Sequence, residues 1–299
     1  MPVSGRQPRR WFLAYAQVMM PRRIPVIIQR EAAPVSVPTD VYADLKTEGE
    51  ILDQMVAGLD ATQWDLPTPA PGWTIKHQVA HLSSTARLAG ISASDPELFA
   101  KVTVGADKDF DAAVTALLTP YLDASPTDLL ARWRTERGDA VKALSALPPA
   151  QMVPWVARQI PASALACAGL MELFAHGQDI ADTIGAPREY TDRIGHLAWF
   201  GTRNRDFGYL VRGLTPPDVE FRYEFTAPSG IQWEFGPADA ENQITGPAVD
   251  FCMLVTRRRH RADLAIQATG PEADKWLDIA QAYRGSPGPG REPGQFSKQ

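Results

Sequence analysis

The chain has 299 residues, 44% of them hydrophobic and 22% charged, with a net charge of −5. That length suffices for one large or two ordinary domains, and the acidic balance argues against nucleic-acid binding through bulk electrostatics. The two cysteines, Cys167 and Cys252, lie in separate apolar runs and suit a reducing cytoplasm, and no apolar run nears the roughly 20 residues that span a membrane.

Residues 1–40 carry six arginines against Glu31 and Asp40, a surplus of +4, which leaves −9 on the remainder. The run "RRWFLAYAQVMMPRR" has an apolar middle, yet a second Arg pair and the lack of a cleavage signature weaken a signal-peptide reading. Residues 1–38 are therefore read as a basic, disordered extension, with an anchoring or targeting arm as the alternative. "VYADLKTEGEILDQMVAGL" then sets Val41, Tyr42, Leu45, Leu52, Met55, Val56 and Leu59 on one helical stripe. A Pro-rich connection, "DLPTPAPGW", ends that helix. "GWTIKHQVAHL" opens the next: Thr74 is a cap, and Ile75, Val79, Leu82 and Ala86 recur on one face. A third helix includes "SPTDLLARWRTERGDAVKAL", with Ser125 or Thr127 as its cap. The fourth starts at Ser163 and runs through "ALACAGLMELFAHGQDIADTI" until Gly185 and Pro187 stop it. A fifth, "RIGHLAWFGTRNRDFGYLV", adds a further layer. Four long helices with several connections predict an antiparallel bundle over residues 39–213.

From about Pro216 the period changes. "VEFRYEF" and "GIQWEFGP", separated by "TAPSG", read as a β-hairpin. "PAVDFCMLVTRRR" reads as a helix, "ADLAIQATG" as a strand and "PEADKWLDIAQAYRG" as a helix. Together they predict a small α+β module over 214–286. The Gly/Pro-rich residues 287–299 are expected to be a disordered tail.

The chemistry-bearing residues fall on the second and fourth helices. In "MELFAHGQD" Glu172 and His176 stand one turn apart, with Asp179 beyond them and the small residues Ala168, Gly169, Ala175 and Gly177 around them. A carboxylate and an imidazole so placed can converge on one cation, and His81, part-way along the second helix, is the natural third ligand. Two histidines, a carboxylate and an open position suit catalytic Zn²⁺ or Fe²⁺. The same spacing also arises by chance, and a helix histidine is often a hydrogen-bonded structural residue. His77 sits near the cap, where a polar residue needs no metal to explain it. Asp179 is read either as orienting a ligand or as a surface ion pair. Both cysteines are read as core.

"LPTPAPGWTIKHQVAHL" followed by "MELFAHGQDIAD" resembles the N-terminal domain of mycothiol-dependent maleylpyruvate isomerases, within the DinB-like four-helix bundle superfamily. "ITGPAVDFCMLVTRRRHRADLAIQATGPEADKWLDIAQAYRG" resembles the small α+β, sterol-carrier-like module that accompanies that bundle. The fold class implied is mainly α: a DinB-like bundle followed by this module. The resemblance implies a divalent metal, zinc foremost, held by His81, Glu172 and His176, with His77 outside the ligand set. It further implies mycothiol as thiol cosubstrate and a cytoplasmic isomerase or S-transferase acting on a small molecule. It also implies that one arginine of "TRRRHR", Arg258, reaches the metal cleft to bind a carboxylate. Other readings remain open: a metal-dependent hydrolase, lyase or cyclase on the same bundle, or a non-catalytic binding protein. Neither a nucleic-acid nor a membrane partner is expected, and the chain is expected to be a monomer or homodimer.

Overall fold

The structure is a computed structural model that describes residues 40–106, 110–156 and 158–296. The basic arm over 1–38 lies outside them. Helix α1 (Val41–Ala57) starts where the Asp40 carboxylate accepts from the Tyr42 and Ala43 amides at 3.1 and 3.0 Å. Its expected stripe is the face that packs inward. Helix α2 (Ile75–Ser94) follows the proline-rich connection. Two shorter helices, α3 (Pro96–Val102) and α4 (Phe110–Leu122), lead to α5 (Pro126–Ser145), which Ser125 caps by accepting from the Asp128 amide. A hairpin of β1 (Met152–Trp155) and β2 (Arg158–Pro161) then delivers the chain to α6 (Ala162–Ile184). Gly185, left-handed at φ 66°, ends α6 as its sequence predicts.

Helices α1, α2, α5 and α6 form the expected DinB-like four-helix bundle. Its core joins Leu52 and Val56, Ile75 and Val79, Leu129 and Trp133, and Leu173 and Ile180, in pairs from each helix in turn. The α2–α5 seam is tight because Gly90 faces the Ala140 backbone, where a Cβ would lie 3.4 Å from the Ala140 Cα.

The predicted fifth helix is broken: α7 (Gly195–Arg203) stops, and α8 (Phe207–Leu210) restarts after a turn. The C-terminal sheet then has the order β4-β3-β5-β6, from β3 (Phe221–Thr226), β4 (Gln232–Phe235), β5 (Asn242–Pro247) and β6 (Gln267–Thr269). β3 and β4 are the expected hairpin, β5 runs parallel to β3, and β6 pairs antiparallel with β5. Helices α9 (Ala248–Val255) and α10 (Pro271–Ile279) bury Phe251 and Trp276 with the sheet residues Phe225 and Trp233. Met171 and Phe174 of α6 and Leu197 of α7 belong to the same cluster. Helix α6 is therefore shared, with one side in the bundle core and another in the core of the module.

The expected tail over 287–299 is described only as far as residue 296. Over 284–296 the chain lies against the body: Arg291 pairs with the fully buried Asp179 at 2.6 Å, and Phe296 lies under the Arg259 guanidinium. Its glycines and prolines predict disorder, and its backbone has no ladder of its own; side-chain contacts, the buried Arg291–Asp179 pair among them, place the described part against the body. Residues 297–299 lie outside the described residues.

Candidate metal centre

Glu172 and His176 stack one turn apart on α6, and His81 meets them from α2. One carboxylate oxygen, Glu172 Oε2, stands 3.2 Å from His81 Nε2 and 3.1 Å from His176 Nε2. The three side chains offer ligand atoms that all lie within 4.8 Å of one another, and they form the one such group among the described residues. All three are largely shielded, at 14, 26 and 11% side-chain exposure for His81, Glu172 and His176.

The protonation of His176 follows from its neighbours. Thr68 donates its hydroxyl to the Trp73 carbonyl at 2.8 Å, so its oxygen accepts from Gln78 Nε2, also at 2.8 Å. That orientation turns Gln78 Oε1 toward His176 Nδ1, to which it is hydrogen-bonded, and the proton sits on Nδ1. Burial, then the neighbouring His81, pushes the His176 pKa down to about 4, so the ring is neutral near pH 7. A neutral ring protonated at Nδ1 presents a lone pair at Nε2, directed at a carboxylate oxygen. Two lone pairs 3.1 Å apart repel unless a cation lies between them. His81 adds a buried Nδ1 without a hydrogen-bond partner among the described residues. This donor set fits a divalent metal.

The indole of Trp73 covers the site, stacked on His176 with ring centres 5.8 Å apart and tilted against His81 at 5.4 Å. His77 is spent on capping: its Nδ1 lies 2.8 Å from Thr74 Oγ1 and accepts from the Thr74 amide at 3.2 Å.

Arg258 lines the same cleft as the triad, and its guanidinium is engaged by the protein itself. Its Nε donates to the Ala175 carbonyl, Nη1 to the Thr256 carbonyl and Nη2 to Asp179 at 2.7 Å. The cause lies one residue earlier. Arg257, left-handed at φ 59°, ends α9 in a position normally given to glycine and turns Arg258 back onto α6. Asp179 is neither a surface pair nor bonded to a ligand: fully buried, it takes both Arg258 and Arg291. Arg259 pairs with Asp182, and Arg261 with Asp274 and Asp278.

The triad opens into a cleft of about 1580 Å³, whose other walls include Trp199, Arg203, Arg257 and residues 284–291. Sequence reasoning missed Gln78, Trp73 and Arg291. A signal existed for Gln78: with Ile75, Val79 and Leu82 at i, i+4 and i+7, it occupies the i+3 place of an apolar stripe, and it is fully buried. Cys167 and Cys252 are buried, and burial raises both thiol pKa values, the first to about 12, which fits the core reading.

Residues 45–181 match the family described as the mycothiol maleylpyruvate isomerase N-terminal domain. Uncharacterised proteins from two Mycobacterium tuberculosis strains, CDC 1551 and H37Rv, are each 42% identical over 254 residues, which is 85% of this chain and 99% of the relative. Crystal structures of the mycothiol-dependent maleylpyruvate isomerase, and of a histidine-to-alanine mutant of it, superpose with TM-scores of 0.52 and 0.53. Both cover 78% of this chain and 94% of theirs at 14% identity, a likeness of fold. No helix among the described residues is long and apolar enough to cross a membrane.

Proposed function

The chain belongs to the family built on the mycothiol maleylpyruvate isomerase N-terminal domain, and from that premise we propose that it is a divalent-metal-dependent enzyme acting with a low-molecular-weight thiol. Mycothiol is the thiol and zinc the foremost metal, and the reaction is an isomerisation or S-transfer on a small electrophile. The observation that carries this reading is the convergence of His81 Nε2 and His176 Nε2 on Glu172 Oε2, with the His176 proton committed to Gln78. When bound there, a divalent metal supplies an open position at which a thiol is held ionised near neutral pH.

The protein's own groups do the rest. His81, Glu172 and His176 bind from two helices, and Gln78 fixes which imidazole nitrogen is offered. Trp73 shields the histidines from water on one side. The Arg258–Asp179 pair and the Arg258 bond to the Ala175 carbonyl hold α6 in place beside His176. The roomy cleft has space for a thiol and an electrophile together.

Elemental analysis of the purified protein tests the first half, with about one divalent metal per chain expected. Titrating a cobalt-substituted sample with thiol tests the second, since thiolate ligation to cobalt adds a charge-transfer absorption band. Metal without that band would leave a metal protein but remove the thiol chemistry. Absence of metal at every loading condition would remove both.

A further inference from the structure

We propose that residues 284–296 form a latched strap that serves as a movable wall of the metal cleft, with Arg291 as its latch. Seven of the ten residues from Gly285 to Gly294 are Gly or Pro, and no helix or strand runs through them. Four of the glycines, at 285, 288, 290 and 294, adopt positive φ, so the path depends on glycine rather than on a ladder. Residues 284–291 nevertheless line the same cleft as His81, Glu172 and His176.

Three contacts fasten the C-terminal half of the strap. Arg291 Nη2 donates to Asp179 Oδ1 at 2.6 Å, the Gly294 amide donates to Asp263 at 2.9 Å, and Phe296 packs under Arg259. The strap presses close where Gly290 passes Arg257: a Cβ there would lie 2.7 Å from Arg257 Nη2. Of these contacts the Arg291 pair is the buried one. Asp179 has no exposure and the Arg291 side chain is 7% exposed, with its Nε buried and without a hydrogen-bond partner among the described residues.

The latch carboxylate is well placed for this task. Asp179 sits on α6 one turn beyond His176 and keeps Arg258 as a partner when Arg291 leaves. Releasing Arg291 therefore gives up a charge-assisted bond without abandoning a buried carboxylate, which makes it a reversible local event.

Subtilisin digestion of the full chain followed by intact mass, with Arg291→Ala and Arg291→Lys beside the wild type, tests the latch. Cleavage within 284–296 is expected to rise roughly ten- to a hundredfold in Arg291→Ala, the effect of losing one hydrogen bond to a charged group. Arg291→Lys is expected to fall between, since it restores the charge without the fork. Metal content and melting temperature, measured alongside, show that the body is intact. The wall function rests on the proposed metal site and is read by stopped-flow association of 2-mercaptoethanol with cobalt-loaded protein, which is expected to quicken in Arg291→Ala. Equal cleavage in all three proteins would overturn the latch. Faster cleavage with an unchanged association rate would overturn the wall. If no variant takes up cobalt, the metal reading fails, while cleavage still decides whether Arg291 holds the strap.

Discussion

A neutral imidazole offers one lone pair, and at His176 Gln78 determines which nitrogen carries it. Replacing Gln78 by Leu removes the acceptor and leaves a buried Nδ1–H unpaired, so the ring no longer prefers the tautomer that faces Glu172. Metal affinity is expected to fall roughly ten- to a hundredfold, with full occupancy still reached at saturation. Competition against a chromophoric chelator measures this. His81→Ala and His176→Ala are expected to lose the metal outright. His77→Ala keeps it and loses only the helix cap, about 1 kcal/mol. Unchanged affinity in Gln78→Leu would sever the link between the Thr68–Gln78–His176 chain and the site. Arg258 carries the second expectation at this scale. Its donors end on Asp179 and two carbonyls, so Arg258→Ala leaves those groups short and is expected to cost roughly 2–4 kcal/mol in urea denaturation. A variant of wild-type stability with weakened thiol binding would return Arg258 to the ligand-binding role that the family resemblance implies.

Helices α1, α2, α5 and α6 were legible because each carries its own punctuation. Asp40, Thr74 and Ser125 cap three of them, and Gly185 with Pro187 stops the fourth. The break between α7 and α8 has no such mark, because tertiary packing makes it. Trp276 donates its indole N–H to the Arg205 carbonyl at 3.0 Å, and Gly208 backs onto the Ile279 carbonyl, so the chain turns where the module requires it. The end of α10 is similar: Ile279 is its last residue, and buried Gln281 donates to the Tyr283 and Gly285 carbonyls while Ala282 reaches Val255. The triad could be read from spacing because both of its α6 members lie on one helix. The direction of Arg258 could not, since it hangs on the left-handed turn at Arg257. Helix α7 itself is tied to α1 by His196, whose Nε2 donates to Asp44 at 3.0 Å. Burial lowers the His196 pKa, and the Asp44 bond pulls the other way without prevailing. The native state thus resists protonating this ring, while the unfolded chain takes up a proton near pH 6.5. Its contribution is whole above that pH and is lost as pH falls below it. Melting temperature is expected to decline from pH 7 to pH 5, with His176 contributing as well, and His196→Asn to make the decline shallower without abolishing it. An equally steep profile in the variant would place the acid sensitivity elsewhere.

Across the whole molecule, α6 decides how far the bundle and the module behave as one body. Met171 and Phe174 sit in the cluster that also holds Phe225, Trp233, Phe251 and Trp276, and Leu173 and Ile180 of the same helix sit in the bundle core. A module deprived of α6 would expose that face of its core, so residues 214–286 alone are expected not to fold. Within the full chain, Phe174→Ala removes a ring that is 4% exposed and is expected to cost roughly 3–5 kcal/mol. If the helix couples the two units, that loss appears in both, and native-state hydrogen exchange can read each separately. The slowest amides of β3, in the module, and of α5, in the bundle, should share one opening free energy and should drop together in the variant. Metal gives the same test from the other side. Its three ligands all lie in the bundle, yet linkage stabilises whatever unfolds with them, by about 4 kcal/mol at a thousand times the dissociation constant. Loading the metal should therefore slow exchange in β3, although β3 supplies none of the three ligands. Protection that rises in α5 while β3 stays unchanged would mean that the units open independently and that α6 joins them without coupling them.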